Sequence, residues 1–96
     1  MRECIYASEK KWDEELNKNY KTLLNLIKDP AIKSKLRETQ IEWIKFRDTE
    51  IKFIGEFYSS FEGTMWLDVI ADKIHDLTKD RAQKLKEYIQ TYTEEK

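Results

Sequence analysis

The sequence predicts an all-α fold in which three long, mostly antiparallel helices form a bundle. Apolar residues recur every three or four positions along most of the chain, and this is the period of one face of an α-helix. Only two glycines and one proline occur among the 96 residues, so little of the chain suits turns. This length fits one domain with a modest core, and we assign residues 1–96 to a single domain.

The first helix is predicted over residues 3–27, and its apolar positions form one stripe. The stripe comprises Ile5, Trp12, Leu16, Tyr20, Leu23 and Ile27. Asp29 and Pro30 then end this helix and start the next. Aspartate is a favourable N-cap, and proline at the first helical position loses no hydrogen bond. The short connection favours an antiparallel hairpin of the first two helices.

The second helix is predicted over residues 30–59 and carries two strongly polar residues, Gln40 and Arg47, on its apolar stripe. Both side chains need hydrogen-bond partners once they leave water. Four further apolar side chains lie off this stripe: Ile41, Ile44, Phe46 and Phe53. Apolar surface on several sides indicates two neighbours within the fold, or a partner in a homodimer.

A turn over residues 59–64 and a third helix over residues 65–92 complete the predicted fold. Gly63 can adopt the positive φ that such a turn requires, and Thr64 can cap the next helix. Arg81 lies within the apolar stripe of the third helix. A buried guanidinium without a partner costs several kcal/mol, so we expect it to be paired.

Each helix therefore places polar residues on or beside its inner face. We expect Asp13 and Asp48 to supply the carboxylates that Arg47 and Arg81 need. The complete predicted cluster comprises Asp13, Asn17, Tyr20, Gln40, Trp43, Arg47, Asp48, Thr78 and Arg81. We favour its interpretation as a structural lock that fixes helix register, with direct contact to a ligand as the alternative.

The composition argues against several functional classes. Eighteen basic residues oppose nineteen acidic ones, so the chain lacks the basic field that nucleic-acid binding needs. No apolar run approaches the roughly 20 residues that cross a bilayer. Cys4 lies near a terminus, and His75 is the only histidine. The spacing of Asp72 and His75 suits two metal ligands, but di-iron bundles need a second such pair. We therefore expect no metal, no cofactor and no catalysis.

Three motifs follow one another along the chain: D-x-x-L-N-x-x-Y at residues 13–20, Q-x-x-W-x-x-F-R-D at 40–48 and L-T-x-x-R-x-x-x-L at 77–85. Together they resemble the LprI-type lysozyme inhibitors, a family of small exported bacterial helical domains. The resemblance implies a protein that binds and blocks a lysozyme or related muramidase in the periplasm or after secretion. The N-terminal stretch has no apolar signal-peptide core, so either the protein stays inside the cell or this chain is a mature or trimmed form. The resemblance implies the second alternative.

One departure from the family pattern concerns its cysteines. The resemblance implies a disulfide in many relatives between a cysteine three residues after the R-D pair and another just before the L-T motif. Here Ile51 occupies the first position, and the second falls at Lys73 or beside it. The disulfide is therefore missing, and packing by Ile51 can replace part of it.

The candidate partner-contact loop is the second turn, where aromatic, acidic and glycine residues cluster outside a regular stripe. It comprises Tyr58, Phe61, Glu62, Gly63 and Trp66. An apolar and acidic loop at the tip of a small rigid domain could enter the substrate cleft of a glycosidase. For the Phe61 ring we favour the alternative, in which it folds back and caps the bundle.

Charge indicates which face such a partner would meet. Residues 61–96 carry eight acidic and six basic residues, whereas residues 31–60 carry five and six. Lysozymes are commonly basic, so the third helix and its preceding turn are the better candidate for the contact face. The alternative function is a structural or self-associating module of the cell envelope. A dimer that buries Ile44 and Phe53 between its chains would favour that alternative.

Overall fold

The computed structural model describes the backbone of residues 2–95 and the side chains of residues 10–95. Within these residues the chain forms three helices: α1 (Arg2–Leu26), α2 (Pro30–Ser59) and α3 (Met65–Glu95). The predicted all-α bundle is confirmed, and every predicted helix boundary lies within three residues of the observed one. The side chains of Cys4 and Ile5 lie outside the described residues.

The junction between α1 and α2 forms as the sequence predicts. Asp29 is the N-cap of α2, and its Oδ1 accepts a hydrogen bond from the backbone N–H of Ala31 at 2.9 Å. Pro30 follows as the first helical residue. The cap satisfies one of the backbone donors that the first turn of a helix leaves without an intrahelical partner.

Loss of this cap should be measurable. We expect Asp29→Ala to lower the free energy of unfolding by about 1 kcal/mol, because the Ala31 N–H loses its side-chain acceptor. Urea denaturation followed by circular dichroism measures this change. Asp29→Asn retains a capping oxygen and should stay close to the parent protein. Equal destabilisation by both substitutions would contradict the assignment of the cap.

The turn between α2 and α3 depends on one glycine. Gly63 has φ of 108°, a conformation that side chains with a Cβ rarely adopt. The backbone N–H of Leu67 donates to the carbonyl oxygen of Thr64 at 3.1 Å, which starts the first turn of α3. This turn, together with the adjoining ends of α2 and α3, is called the distal turn below and spans residues 58–66.

The packing of the three helices differs in one respect from the predicted hairpin. α2 reverses direction as expected, but the main neighbour of α1 is α3 rather than α2. Small side chains on α3 explain this choice, because Thr78 and Ala82 are fully buried and allow a close approach. The Asn19 side chain crosses this interface and donates to the Ala82 carbonyl oxygen at 2.9 Å.

The core lies towards the end of the bundle that holds the α1–α2 junction. Its buried cluster comprises Leu16, Leu23, Ile27, Leu36, Ala82 and Leu85. Trp12, Tyr20 and Trp43 pack against this cluster with part of their surface exposed. Towards the distal turn, α2 buries Ile54 but exposes Phe53 and Phe57. The two ends of the bundle therefore differ, with the core at one end and exposed aromatic rings at the other.

Candidate functional site

The polar residues of the second motif meet α3 in the interior of the bundle. Arg81 Nε donates a hydrogen bond of 3.0 Å to Gln40 Oε1, and both side chains are buried. The Arg81 guanidinium carbon lies 5.8 Å from the centre of the Trp43 ring, and that of Arg47 lies 5.0 Å from it. Both distances suit cation–π contact. Trp43 thus contacts two arginines that come from different helices.

The hydrogen-bond partner of Arg81 differs from the one that the sequence predicted. We expected a carboxylate, and the structure provides the neutral amide oxygen of Gln40. Burial lowers the pKa of the Arg81 guanidinium, and its interaction with Tyr88 opposes that shift. Its Nη2 atom is buried without a hydrogen bond to any part of the chain that the structure describes. The charge at Arg81 is therefore only partly compensated.

Both predicted carboxylates approach Arg47 instead. Asp13 Oδ1 lies 3.8 Å from Arg47 Nη1, and Asp48 Oδ1 lies 3.8 Å from Arg47 Nε. More than half of each aspartate side chain is exposed to solvent. Long ion pairs with exposed carboxylates contribute little to stability. These pairs therefore contribute little to holding α1 to α2.

On α1 the structure brings a different amide into the interior than the sequence motif indicated. Asn17 is exposed, whereas Asn19 is 6% exposed and bonds to α3. Tyr20 packs at the margin of the core, and Thr78 is fully buried. The first motif thus contributes Leu16 to the core and Tyr20 to its margin, while its asparagine faces water.

The distal turn brings all five residues of the candidate contact loop together. The rings of Tyr58 and Trp66 stack with centroids 5.5 Å apart. Trp66 Nε1 donates to the Glu62 carbonyl oxygen at 3.1 Å, which ties the start of α3 to the tip of the turn. With Gly63 at positive φ, these contacts fix the backbone of the loop.

The Phe61 ring combines features of the two predicted alternatives, because it folds back and also remains exposed. The ring folds back, with centroids 5.2 Å from Phe57 and 5.2 Å from Trp66. It nevertheless keeps 43% of its surface exposed. Glu62 beside it is also exposed. The tip of the distal turn therefore presents one supported aromatic ring and one carboxylate to solvent.

Charge is distributed unevenly along the bundle. Residues 48–80, which include the distal turn, carry eight acidic and three basic residues. The remainder of the chain carries eleven acidic and fifteen basic residues. The net charge of the whole chain is close to zero and does not show this uneven distribution. The exposed aromatic rings of the distal turn thus lie within an acidic stretch of α2 and α3.

The described residues provide no cluster of metal ligands. They contain no group of three or more histidine, cysteine or acidic side chains that could hold a metal ion. None of their helices is long and apolar enough to cross a membrane. The distal turn, with its exposed Phe61 and Glu62, is the candidate site considered below.

Comparison with known proteins identifies the family. The chain belongs to the LprI lysozyme inhibitor family, whose model, described as "Lysozyme inhibitor LprI", matches residues 1–85. The resemblance drawn from the three motifs is therefore confirmed. This membership places the chain in a family of inhibitors rather than of enzymes. Searches of curated proteins and of solved structures found no match.

Proposed function

We propose that this chain binds a lysozyme or a related cell-wall hydrolase and blocks it by placing the distal turn in the substrate cleft. The observation that carries the proposal is the tip of the distal turn, where Phe61 and Glu62 are exposed and Trp66 contacts the Phe61 ring and the Glu62 backbone. A preorganised aromatic ring loses little conformational freedom on binding. Such rings are frequent among the residues that dominate the energy of protein interfaces.

The acidic character of this end supports the same partner. Lysozymes are commonly basic, and opposite charges accelerate encounter and orient the two proteins. Eight acidic residues against three basic ones over residues 48–80 would steer a basic enzyme towards the distal turn. We place the action of this chain outside the cytoplasm, in the periplasm or after secretion, because a cell-wall hydrolase acts there. The proposal requires no cofactor.

The test is inhibition of cell-wall lysis by a c-type lysozyme, with the purified chain titrated into the assay. The test variant is Phe61→Ala/Glu62→Lys, which removes the ring and reverses the charge at the tip. The matched control is Phe46→Ala/Glu42→Lys, which makes the same two changes at exposed positions in the middle of α2. We expect the tip variant to weaken inhibition by about 100-fold, as for loss of a central aromatic contact and an ion pair.

Three results would discriminate among the hypotheses about the activity and its contact surface. Inhibition that survives in the control but is lost in the tip variant would support both the activity and the surface. Equal inhibition by both variants would support the inhibitory activity but would mean that the contact surface lies outside the distal turn. No inhibition by the parent chain at high micromolar excess would reject this lysozyme as the target.

The second candidate is a self-associating module of the cell envelope. Its supporting observation is that Ile41, Phe46 and Phe53 of α2 are each more than half exposed. A dimer could cover these side chains. Sedimentation of the parent chain and of Ile41→Ser/Phe46→Ser measures this directly. A dimer that dissociates in the variant would favour this candidate, and a monomer at all concentrations would reject it.

A further inference from the structure

A groove on the outer side of the α2–α3 pair adjoins the distal turn and is called the outer groove below. Its volume is about 370 Å³, and Phe53 and Phe57 line it from α2. Asp76 and Asp80 line it from α3. The residues of α3 that face α1, such as Ala82, lie on a different side of the helix, so the outer groove faces away from α1.

The floor of the outer groove is aromatic and open to solvent. The rings of Phe53 and Phe57 stack with centroids 5.3 Å apart and an interplanar angle of 18°. Their exposed fractions are 57% and 43%. Phe57 also contacts Phe61 edge to face, with centroids 5.2 Å apart. The outer groove therefore continues the aromatic surface of the distal turn along the side of the bundle.

The rim of the outer groove is acidic. Glu50 stands on the α2 side, and Asp76 and Asp80 stand on the α3 side, while Lys73 is the single basic side chain among the lining residues. Within residues 10–95, no ion pair joins these three carboxylates to a lysine or arginine. The carboxylates and the rings between them thus face solvent together, and this combination suits a cation.

The same chain already holds an arginine in this chemical arrangement. Arg47 lies 5.0 Å over Trp43 and approaches the carboxylates of Asp13 and Asp48. The outer groove repeats the elements of that arrangement, namely an aromatic face flanked by carboxylates from two helices. Guanidinium suits it better than ammonium, because its plane stacks on aromatic rings and its N–H groups reach several carboxylate oxygens at once.

We infer that the outer groove binds an arginine side chain of the partner, stacked on Phe53 and Phe57 and paired with Glu50, Asp76 and Asp80. The inference rests on the proposed function, since the partner is the basic enzyme whose cleft receives the distal turn. It extends the contact surface from the tip to the side of the bundle. It also assigns the selection of a basic partner to residues that the family motifs do not specify.

The first test measures the affinity for a c-type lysozyme by titration calorimetry. The groove variant Glu50→Gln/Asp76→Asn/Asp80→Asn is compared with Glu14→Gln/Glu87→Gln/Glu94→Gln, which removes three exposed acids elsewhere and gives the same net charge. We expect the groove variant to weaken binding at least about tenfold and the control less than about threefold. Equal losses would reduce the effect to long-range steering and overturn the inference.

A second test separates failure of the inference from failure of the proposed function. The ¹⁵N-labelled chain is titrated with a hexa-arginine peptide and, separately, with a hexa-lysine peptide. We expect chemical-shift changes confined to the amides that line the outer groove. These changes should disappear in the groove variant and in Phe53→Leu/Phe57→Leu. Hexa-arginine should bind at least about threefold more tightly than hexa-lysine. This result would stand even if the lysozyme itself did not bind. Shifts spread over the whole surface, or none, would overturn the inference.

Discussion

Leu85→Ala is expected to lower the free energy of unfolding by about 3 kcal/mol. Leu85 is fully buried within the core cluster, which also contains Leu16 and Leu23. Truncation removes the transfer free energy of the lost carbons and leaves a cavity that close-packed helices fill only in part. Small domains have total stabilities of about 5–10 kcal/mol, so this loss is a large share of the whole.

Urea denaturation of the parent chain and of the variant measures the difference, provided that both unfold in a single transition. Leu67→Ala is the matched control, because it makes the same substitution in the same helix at a position that is 42% exposed. We expect the control to cost less than about 1 kcal/mol. Similar losses at the two positions would mean that the core does not lie where the structure places it.

The helices themselves could be predicted because their signals are local. The cap at Asp29, the proline at residue 30 and the glycine at residue 63 act through their own backbone geometry, independently of the rest of the chain. All three occupy the predicted positions. The end of α3 was placed three residues early, because polar residues after Tyr92 weaken the apolar stripe without breaking the helix.

The choice of neighbours could not be predicted from local signals. A short connection indicates that α1 and α2 reverse direction, but it does not determine how closely they approach. That distance depends on side-chain volume at the facing positions. α2 presents the large side chains of Gln40, Trp43 and Arg47, whereas α3 presents Thr78 and Ala82. The small residues of α3 admit α1 more closely, and α1 accordingly packs mainly there.

The candidate site shows the same limit, namely that local sequence signals do not predict which helix faces meet. Residues 58–66 are contiguous, so their clustering at the distal turn was visible in the sequence. The outer groove combines residues from 50–58 with residues from 73–80, which become neighbours only through the register of α2 against α3. Spacings of three and four within Glu50, Phe53 and Phe57 place those residues on one face of α2. No sequence signal specifies which face of α3 lies opposite.

The second large effect concerns the hydrogen bond between Gln40 and Arg81. The coupling energy between substitutions at these two residues distinguishes a structural lock from a merely tolerated polar pair. We expect Gln40→Met to cost about 3 kcal/mol, because it removes the acceptor of a buried guanidinium that is already only partly bonded. Adding Arg81→Met should recover part of this loss, since the double variant leaves no stranded charge. The double variant is thus expected to be more stable than Gln40→Met alone, with a coupling energy of about 2 kcal/mol.

The cycle is measured by urea denaturation of the parent chain, both single variants and the double variant. Gln40→Met combined with Lys79→Met serves as the control, because Lys79 lies over Trp12 rather than Trp43 and its effect should add to within about 0.5 kcal/mol. Coupling with Arg81 but not with Lys79 would place the energy in the specific contact between α2 and α3. Additive losses for Gln40 and Arg81 would instead mean that the guanidinium finds another acceptor once Gln40 is gone. The polar residues of the motifs would then tune packing around Trp43 without fixing the register of the helices.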